Sequence, residues 1–152
     1  MIGELVAECG GFNGFTRRIF AKCSPCGARE GRALCEGAGC VYECSSDPVR
    51  DIEAFVRLLV VNAVLGNCDG HLKNLTVLRG VDWSSFALAP VYDIVSTVVY
   101  GGLDRHMAMH IGSTNKIDEV GRDDFLALAK ELDVSPRMVR RLIEEVAARR
   151  RT

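Results

Sequence analysis

The stretch Asp47-Pro-Val-Arg-Asp51-Ile-Glu-Ala-Phe55-Val-Arg-Leu-Leu-Val60-Val-Asn-Ala-Val-Leu65-Gly-Asn-Cys-Asp69-Gly-His71-Leu-Lys73-Asn74 sets the reading of the whole chain. Asp47-Pro48 is an N-cap followed by a proline at the first helical position, where its missing N–H costs nothing. Ile52, Phe55, Val56, Leu59, Val60, Ala63 and Val64 then recur at helical spacing. The spacing predicts a helix over 48–65, stopped at Gly66. A polar loop runs from Gly66 to Asn74. Two strand-like runs follow, Leu75 to Leu78 and Phe86 to Leu88, with a turn opening at Arg79-Gly80, so a hairpin is expected.

Further on, Ile94 to Tyr100 is apolar and open between helix and strand, and His106 to Ile111 alternates loosely. Asp123 or Asp124 can cap a helix carrying Phe125, Leu128, Ala129 and Leu132. Ser135-Pro136 caps a last helix carrying Val139, Leu142, Ile143 and Val146. Its closing Arg149-Arg150-Arg151 complements the helix dipole and reads first as a solvated end.

The chain has 152 residues, 48% hydrophobic and 26% charged, with a net charge of −1. That balance excludes a strongly basic nucleic-acid coat and an acidic tail. No direct nucleic-acid contact is expected. No run reaches the roughly 18 apolar residues of a membrane helix, and the greasiest, Phe55 to Leu65, is broken by Arg57 and Asn62. Met1-Ile2-Gly3-Glu4 opens no signal peptide, so a cytoplasmic location is the expectation.

Six of the seven cysteines lie in the first 44 residues: Cys9, Cys23, Cys26, Cys35, Cys40 and Cys44. That text is Gly-rich and aperiodic. The reading therefore divides the chain into 1–46, a segment that is disordered or out of frame, and 47–152, a patterned domain. Cys23-Ser-Pro-Cys26 with the three later cysteines also admits a zinc knuckle, although C-x4-C-x3-C is not a second C-x2-C pair.

The loop after the first helix concentrates chemistry. It packs Asp69, His71, Lys73 and two asparagines between a buried helix and a hairpin, and loops on rigid elements are where catalytic groups collect. Asp69 to Asn74 is D-x4-N, the spacing at which protein kinases place a catalytic Asp and a metal-holding Asn. Mg²⁺ takes oxygen ligands, so a second carboxylate is needed, and Asp93 stands after the hairpin to supply it. Asn, Asp and Gly are also the residues of an ordinary turn. His71 alone reads as a packed histidine, and Cys68 has no evident base.

Gly66-Asn-Cys-Asp-Gly-His-Leu-Lys-Asn74, Leu88-Ala-Pro-Val-Tyr-Asp-Ile-Val-Ser-Thr97 and Met107-Ala-Met-His-Ile-Gly112 together resemble the C-terminal part of the HipA-like serine/threonine protein kinases, the toxin halves of bacterial HipA/HipB-type modules. The resemblance runs from Phe55 to about Val146. It implies a mainly α fold with a small β hairpin, the helical C-lobe of a protein-kinase-like fold. It implies Asp69 as catalytic aspartate, His71 and Lys73 shaping or charging the loop, and Asn74 and Asp93 as Mg²⁺ ligands. ATP is the implied phosphoryl donor. A protein such as an aminoacyl-tRNA synthetase is the implied substrate, and a helix-turn-helix, HipB-like antitoxin the implied partner. Leu75-Thr76 departs from the family's usual Phe-Ser.

Residues 1–54 offer no strand pair with a phosphate-covering loop and no strand lysine, so the N-lobe is expected to be absent and the chain inactive alone. Codons permitted for Phe15 to Pro25, read from the third base of Phe15, allow His-Glu-Glu-Asp-Phe-Cys-Gln-Met-Leu-Ser. This resembles a family segment found upstream of the catalytic loop, which is the ground for the out-of-frame reading. Two rivals stand beside the kinase reading: a non-catalytic module that binds an antitoxin or partner, and a small zinc-binding protein.

Overall fold

A computed structural model of the protein describes residues 16–17, 33–79 and 85–149. In chain order the elements are β1 (Thr16–Arg17), α1 (Ala33–Cys44), α2 (Pro48–Leu65), β2 (Val77–Arg79), β3 (Phe86–Leu88), β4 (His106–Ile111), β5 (Thr114–Lys116), α3 (Arg122–Glu131) and α4 (Pro136–Arg149). Single 3₁₀ turns lie at 72–74 and 97–99. Strands β1, β2 and β3 form one antiparallel sheet in that order; β4 and β5 form a second hairpin. The fold is mainly α, with small antiparallel hairpins. Among the described residues no helix is long and apolar enough to cross a membrane.

Helix α2 is the central rod. Its apolar stripe packs on α1 and α4. Phe55, Val56, Leu59 and Val60 share one core with Val41 of α1, Leu128 of α3, and Val139 and Leu142 of α4, all eight essentially without exposure. Each such burial contributes about 1.5–3 kcal/mol relative to exposure. The predicted start and stop hold. Asp47 accepts from the Arg50 amide at 3.2 Å, and Gly66 caps the end in the left-handed region at φ 71°. The outer face of α2 is tied to α4 by ion pairs, Arg57–Glu145 at 2.8 Å and Arg141–Glu53 at 2.7 Å.

Helix α1 lies inside the 1–46 segment, in text from which the sequence reading expects irregular chain. Gly37 and Gly39 weaken it by roughly 1 kcal/mol each. Packing compensates: Leu34, Ala38, Cys40 and Val41 are all buried. Gly37 also lets the loop after α2 approach, since a Cβ there would stand 2.8 Å from Leu72 Cδ2. Of the knuckle cysteines, Cys40 and Cys44 are helix residues of α1, while Cys23, Cys26 and the Cys35 side chain lie outside the described residues. The text from which the out-of-frame reading is built lies outside them too, apart from the two residues of β1.

The hairpin is anchored to the start of α2 by a buried carboxylate. Asp51 Oδ2 accepts from Ser45 Oγ at 2.7 Å and from the Leu88 amide of β3 at 2.6 Å, and Asp51 is only 4% exposed. Removing it strands a buried N–H and a hydroxyl together. Asp51→Ala is therefore expected to cost about 2–3 kcal/mol in urea denaturation, against about half a kcal/mol for a surface change. A loss within surface range would show that the carboxylate holds nothing.

The stretch 106–116 forms a hairpin that the loose alternation did not announce. Its two-residue turn needs Gly112, at φ 59°, whose Cβ would meet the Asp124 backbone at 2.8 Å. Helix α3 begins two residues before the expected cap. Gly121 is its N-cap, and Asp124 reaches back to the Gly121 amide at 3.0 Å.

Candidate active site

The loop that leaves α2 is built by hydrogen bonds rather than by regular structure. Gly66 turns the chain; a Cβ there would stand 2.3 Å from Val98 Cγ2. The buried Asn67 folds back, its side-chain amide donating to Asn62 Oδ1 of α2 at 3.0 Å. Its own Oδ1 accepts from the Asp69 amide at 3.1 Å, a turn closed by the asparagine side chain. Gly70 then passes so close to α2 that a Cβ would lie 2.5 Å from Asn62 Nδ2. The 72–74 turn follows, closed by Asn74 N to His71 O at 3.0 Å. On the far side, Ala108 of β4 donates to Cys68 O at 2.9 Å. That strand is braced near its start by a bidentate Arg105–Asp118 pair, which holds the Asp118 carboxyl below its usual range and the guanidinium above. Beside it, a hydrogen bond from His106 lowers the Asp104 carboxyl.

Three of the five residues singled out in sequence meet in one cleft. His71, Asn74 and Asp93 line it with Asn62, Asn67, Gly70 and Tyr92, over a floor of Phe55, Leu58, Leu75 and Met109. Asp69 stands outside the lining. Its side chain is 71% exposed, and Oδ1 lies 4.0 Å from His71 Nε2. The other ring nitrogen, His71 Nδ1, is buried without a partner in the structure. The side chain of Lys73 lies outside the described residues. Among the described residues no hydrogen bond engages the Asn74 or Asp93 side chain, and both residues line the cleft.

Asp93 sits at φ 59°, the left-handed region that non-glycine residues seldom adopt and that costs about 1–2 kcal/mol. The preceding residue explains how it is held: Tyr92 Oη and Thr76 Oγ1 are 2.6 Å apart, pinning this segment to the chain that leads into β2. Sequence reasoning passed over Asn62, Thr76, Tyr92 and Thr97. Their signal was position alone, polar residues on an apolar helix face or inside an apolar run.

The cleft encloses about 10 Å³, room for roughly one water, whereas ligand pockets run to roughly 300–1,000 Å³. It has room for an ion or the edge of a phosphate. Among the described residues no group of three or more His, Cys, Asp and Glu could hold a metal by itself. Two hard oxygen ligands at one cleft suit Mg²⁺, which is commonly held by one or two side chains plus substrate phosphates. They do not suit a closed zinc site.

A family model described as the HipA-like C-terminal domain matches residues 28–152. Two kinase-named proteins of Sinorhizobium fredii are similar. Y4mE is 37% identical over 99 residues, 65% of this chain and 23% of that protein. Y4dM is 33% identical over 89 residues, 59% of this chain and 22% of that protein. The chain thus spans about a quarter of the length of the relatives it matches. A solved complex of HipA, HipB and operator DNA from Shewanella oneidensis contains a chain of similar fold, with a TM-score of 0.71 at 21% identity, covering 88% of this chain and 29% of that one.

Proposed function

The chain belongs to the HipA-like C-terminal domain family, and from that premise we propose that it carries the catalytic end of a Mg²⁺- and ATP-dependent serine/threonine protein kinase of the toxin–antitoxin type. The observation that carries this reading is the cleft. Asn74 and Asp93 line one cleft with side chains that no hydrogen bond engages among the described residues, and Asp69 stands exposed beside His71 of that lining.

In this reading Asn74 and Asp93 hold Mg²⁺, which when bound offsets the negative charge of the ATP phosphates. Asp69, on the open side, accepts the proton of a substrate hydroxyl and aligns its oxygen for attack. Its exposure suits a protein substrate, which must be met at a surface. His71 stands between Asp69 and the cleft and keeps the two apart at a set spacing. Lys73 adds positive charge to the loop. The base and ribose are assigned to a nucleotide-binding lobe, as in protein kinases, and the chain alone is expected not to turn over.

The test is Mg²⁺-dependent ATP binding followed by calorimetry or a fluorescent nucleotide. Asp93→Asn and Asn74→Ala are each expected to weaken binding tenfold or more, about 1.4 kcal/mol. Binding unchanged by both variants would remove the metal site. A second reading, a module that docks a helix-turn-helix antitoxin without catalysis, draws on the HipA–HipB complex and on the exposed Val95, Val99, Tyr100 and Leu103 beside the cleft. A partner that co-purifies, with no effect of nucleotide, would favour it. An aminoacyl-tRNA synthetase as substrate is proposed from the family resemblance alone.

A further inference from the structure

Three consecutive amides of the catalytic loop end on three different acceptors. Asn67 N donates to Asn62 O at 2.8 Å, Cys68 N to Thr97 Oγ1 at 2.9 Å, and Asp69 N to Asn67 Oδ1 at 3.1 Å. The first and third lead back to α2, because the Asn67 side chain is itself bonded to Asn62. The middle one crosses 29 positions of sequence to the segment that carries Asp93. Thr97 uses its hydroxyl in both senses, accepting from Cys68 and donating to Gly66 O at 3.0 Å. Two backbone bonds, Thr97 N and Val98 N to Gly66 O at 3.0 and 3.2 Å, also join the segments, but only the hydroxyl reaches the residue next to Asp69.

We infer that Thr97 is a positioning residue: its hydroxyl fixes the loop backbone beside Asp69 relative to the segment bearing Asp93. Its purpose rests on the roles proposed above for those two carboxylates. Cys68 is buried, so its N–H has no water to turn to when the hydroxyl is removed, and the loop must move to satisfy it. Thr97→Val keeps the side-chain shape and both backbone bonds and deletes the two hydrogen bonds of the hydroxyl. Of these only the one from Cys68 N reaches the loop beside Asp69, and Gly66 O keeps its two backbone donors. Thr97→Ser keeps the hydroxyl.

Amide exchange and Mg²⁺ titration, read by ¹H–¹⁵N spectra of the chain and both variants, test the inference. Cys68 exchange is expected to quicken about tenfold or more in Thr97→Val and to return in Thr97→Ser, while the amides of Phe55 and Leu128 keep their rates. Mg²⁺ is expected to shift the Asn74 side-chain amide in all three proteins. The accompanying shift at the Asp69 amide is expected to vanish in Thr97→Val and return in Thr97→Ser. Unchanged Cys68 exchange in Thr97→Val, or no recovery in Thr97→Ser, overturns the inference. So does a Thr97→Val chain that fails to fold, since the two backbone bonds to Gly66 O still join the segments. A wild-type chain in which Mg²⁺ shifts nothing counts instead against the metal site, and the Cys68 rates still decide the role of Thr97.

Discussion

Gly66→Ala is expected to lower the unfolding free energy by about 2–5 kcal/mol. Two costs combine. The backbone at φ 71° charges a side chain about 1–2 kcal/mol for the left-handed region. The added methyl would also stand 2.3, 2.8 and 3.1 Å from Cγ2, Cγ1 and Cβ of Val98, and forced overpacking costs about 1–3 kcal/mol. Val98 cannot give way cheaply, since its amide is bonded to Gly66 O. Denaturant unfolding measures the total. Gly66→Ala combined with Val98→Ala separates the parts, because the second change removes the clash and leaves the backbone cost, along with whatever the lost valine packing itself contributes. A total under about 1 kcal/mol would mean that the cap is not left-handed.

Asp69→Asn is expected to lower the phosphotransfer rate by about 10²–10⁴-fold, measured on the chain combined with a nucleotide-binding lobe that supplies turnover. The amide keeps the size of the carboxylate but cannot accept the substrate proton. The effect belongs in kcat. Asp69 lies outside the cleft lining, so Mg²⁺-ATP should bind nearly as before. Asp93→Asn should behave in the opposite sense, losing nucleotide affinity first. A variant at Asp69 that changed affinity and left the rate alone would exchange the two roles.

Most of the scaffold of this site could be read from sequence, because local chemistry and burial agree there. Helix α2 has a capped start, an unbroken apolar stripe and a glycine that must be left-handed, and it runs over the expected residues. Strand β3 falls where its aromatic and aliphatic run predicts, while β2 begins two residues late because Leu75 and Thr76 leave the 72–74 turn before pairing starts. Helix α1 was illegible for a physical reason: two glycines and three cysteines give it little intrinsic preference, and its order comes from contact with α2 and Leu72. The second hairpin was hidden for a similar one. Met107, Met109 and Ile111 do alternate inward, but Gly112 is needed both for its turn and for its approach to α3, and neither shows in a linear pattern. Of the residues singled out by spacing and resemblance, His71, Asn74 and Asp93 line one cleft. The polar supports, Asn62, Thr76 and Thr97, were not singled out, since each only means something once distant segments meet.

Helix α2 carries a polar anchor near each end, and the two do different jobs. Asp51 holds the hairpin through the Leu88 amide, and Asn62 holds the loop after α2 through Asn67. Eleven residues separate them, a span of roughly 16 Å at about 1.5 Å per residue. Each residue also turns the helix by about 100°. The helix is therefore a phased ruler: side-chain identity between the anchors can vary within the limits of packing, but length cannot. A single insertion or deletion there would swing one anchor about a quarter-turn around the axis relative to the other. The hairpin and the loop could not then both meet their anchors, and Asp93, which follows the one, would be lost from Asn74, which ends the other.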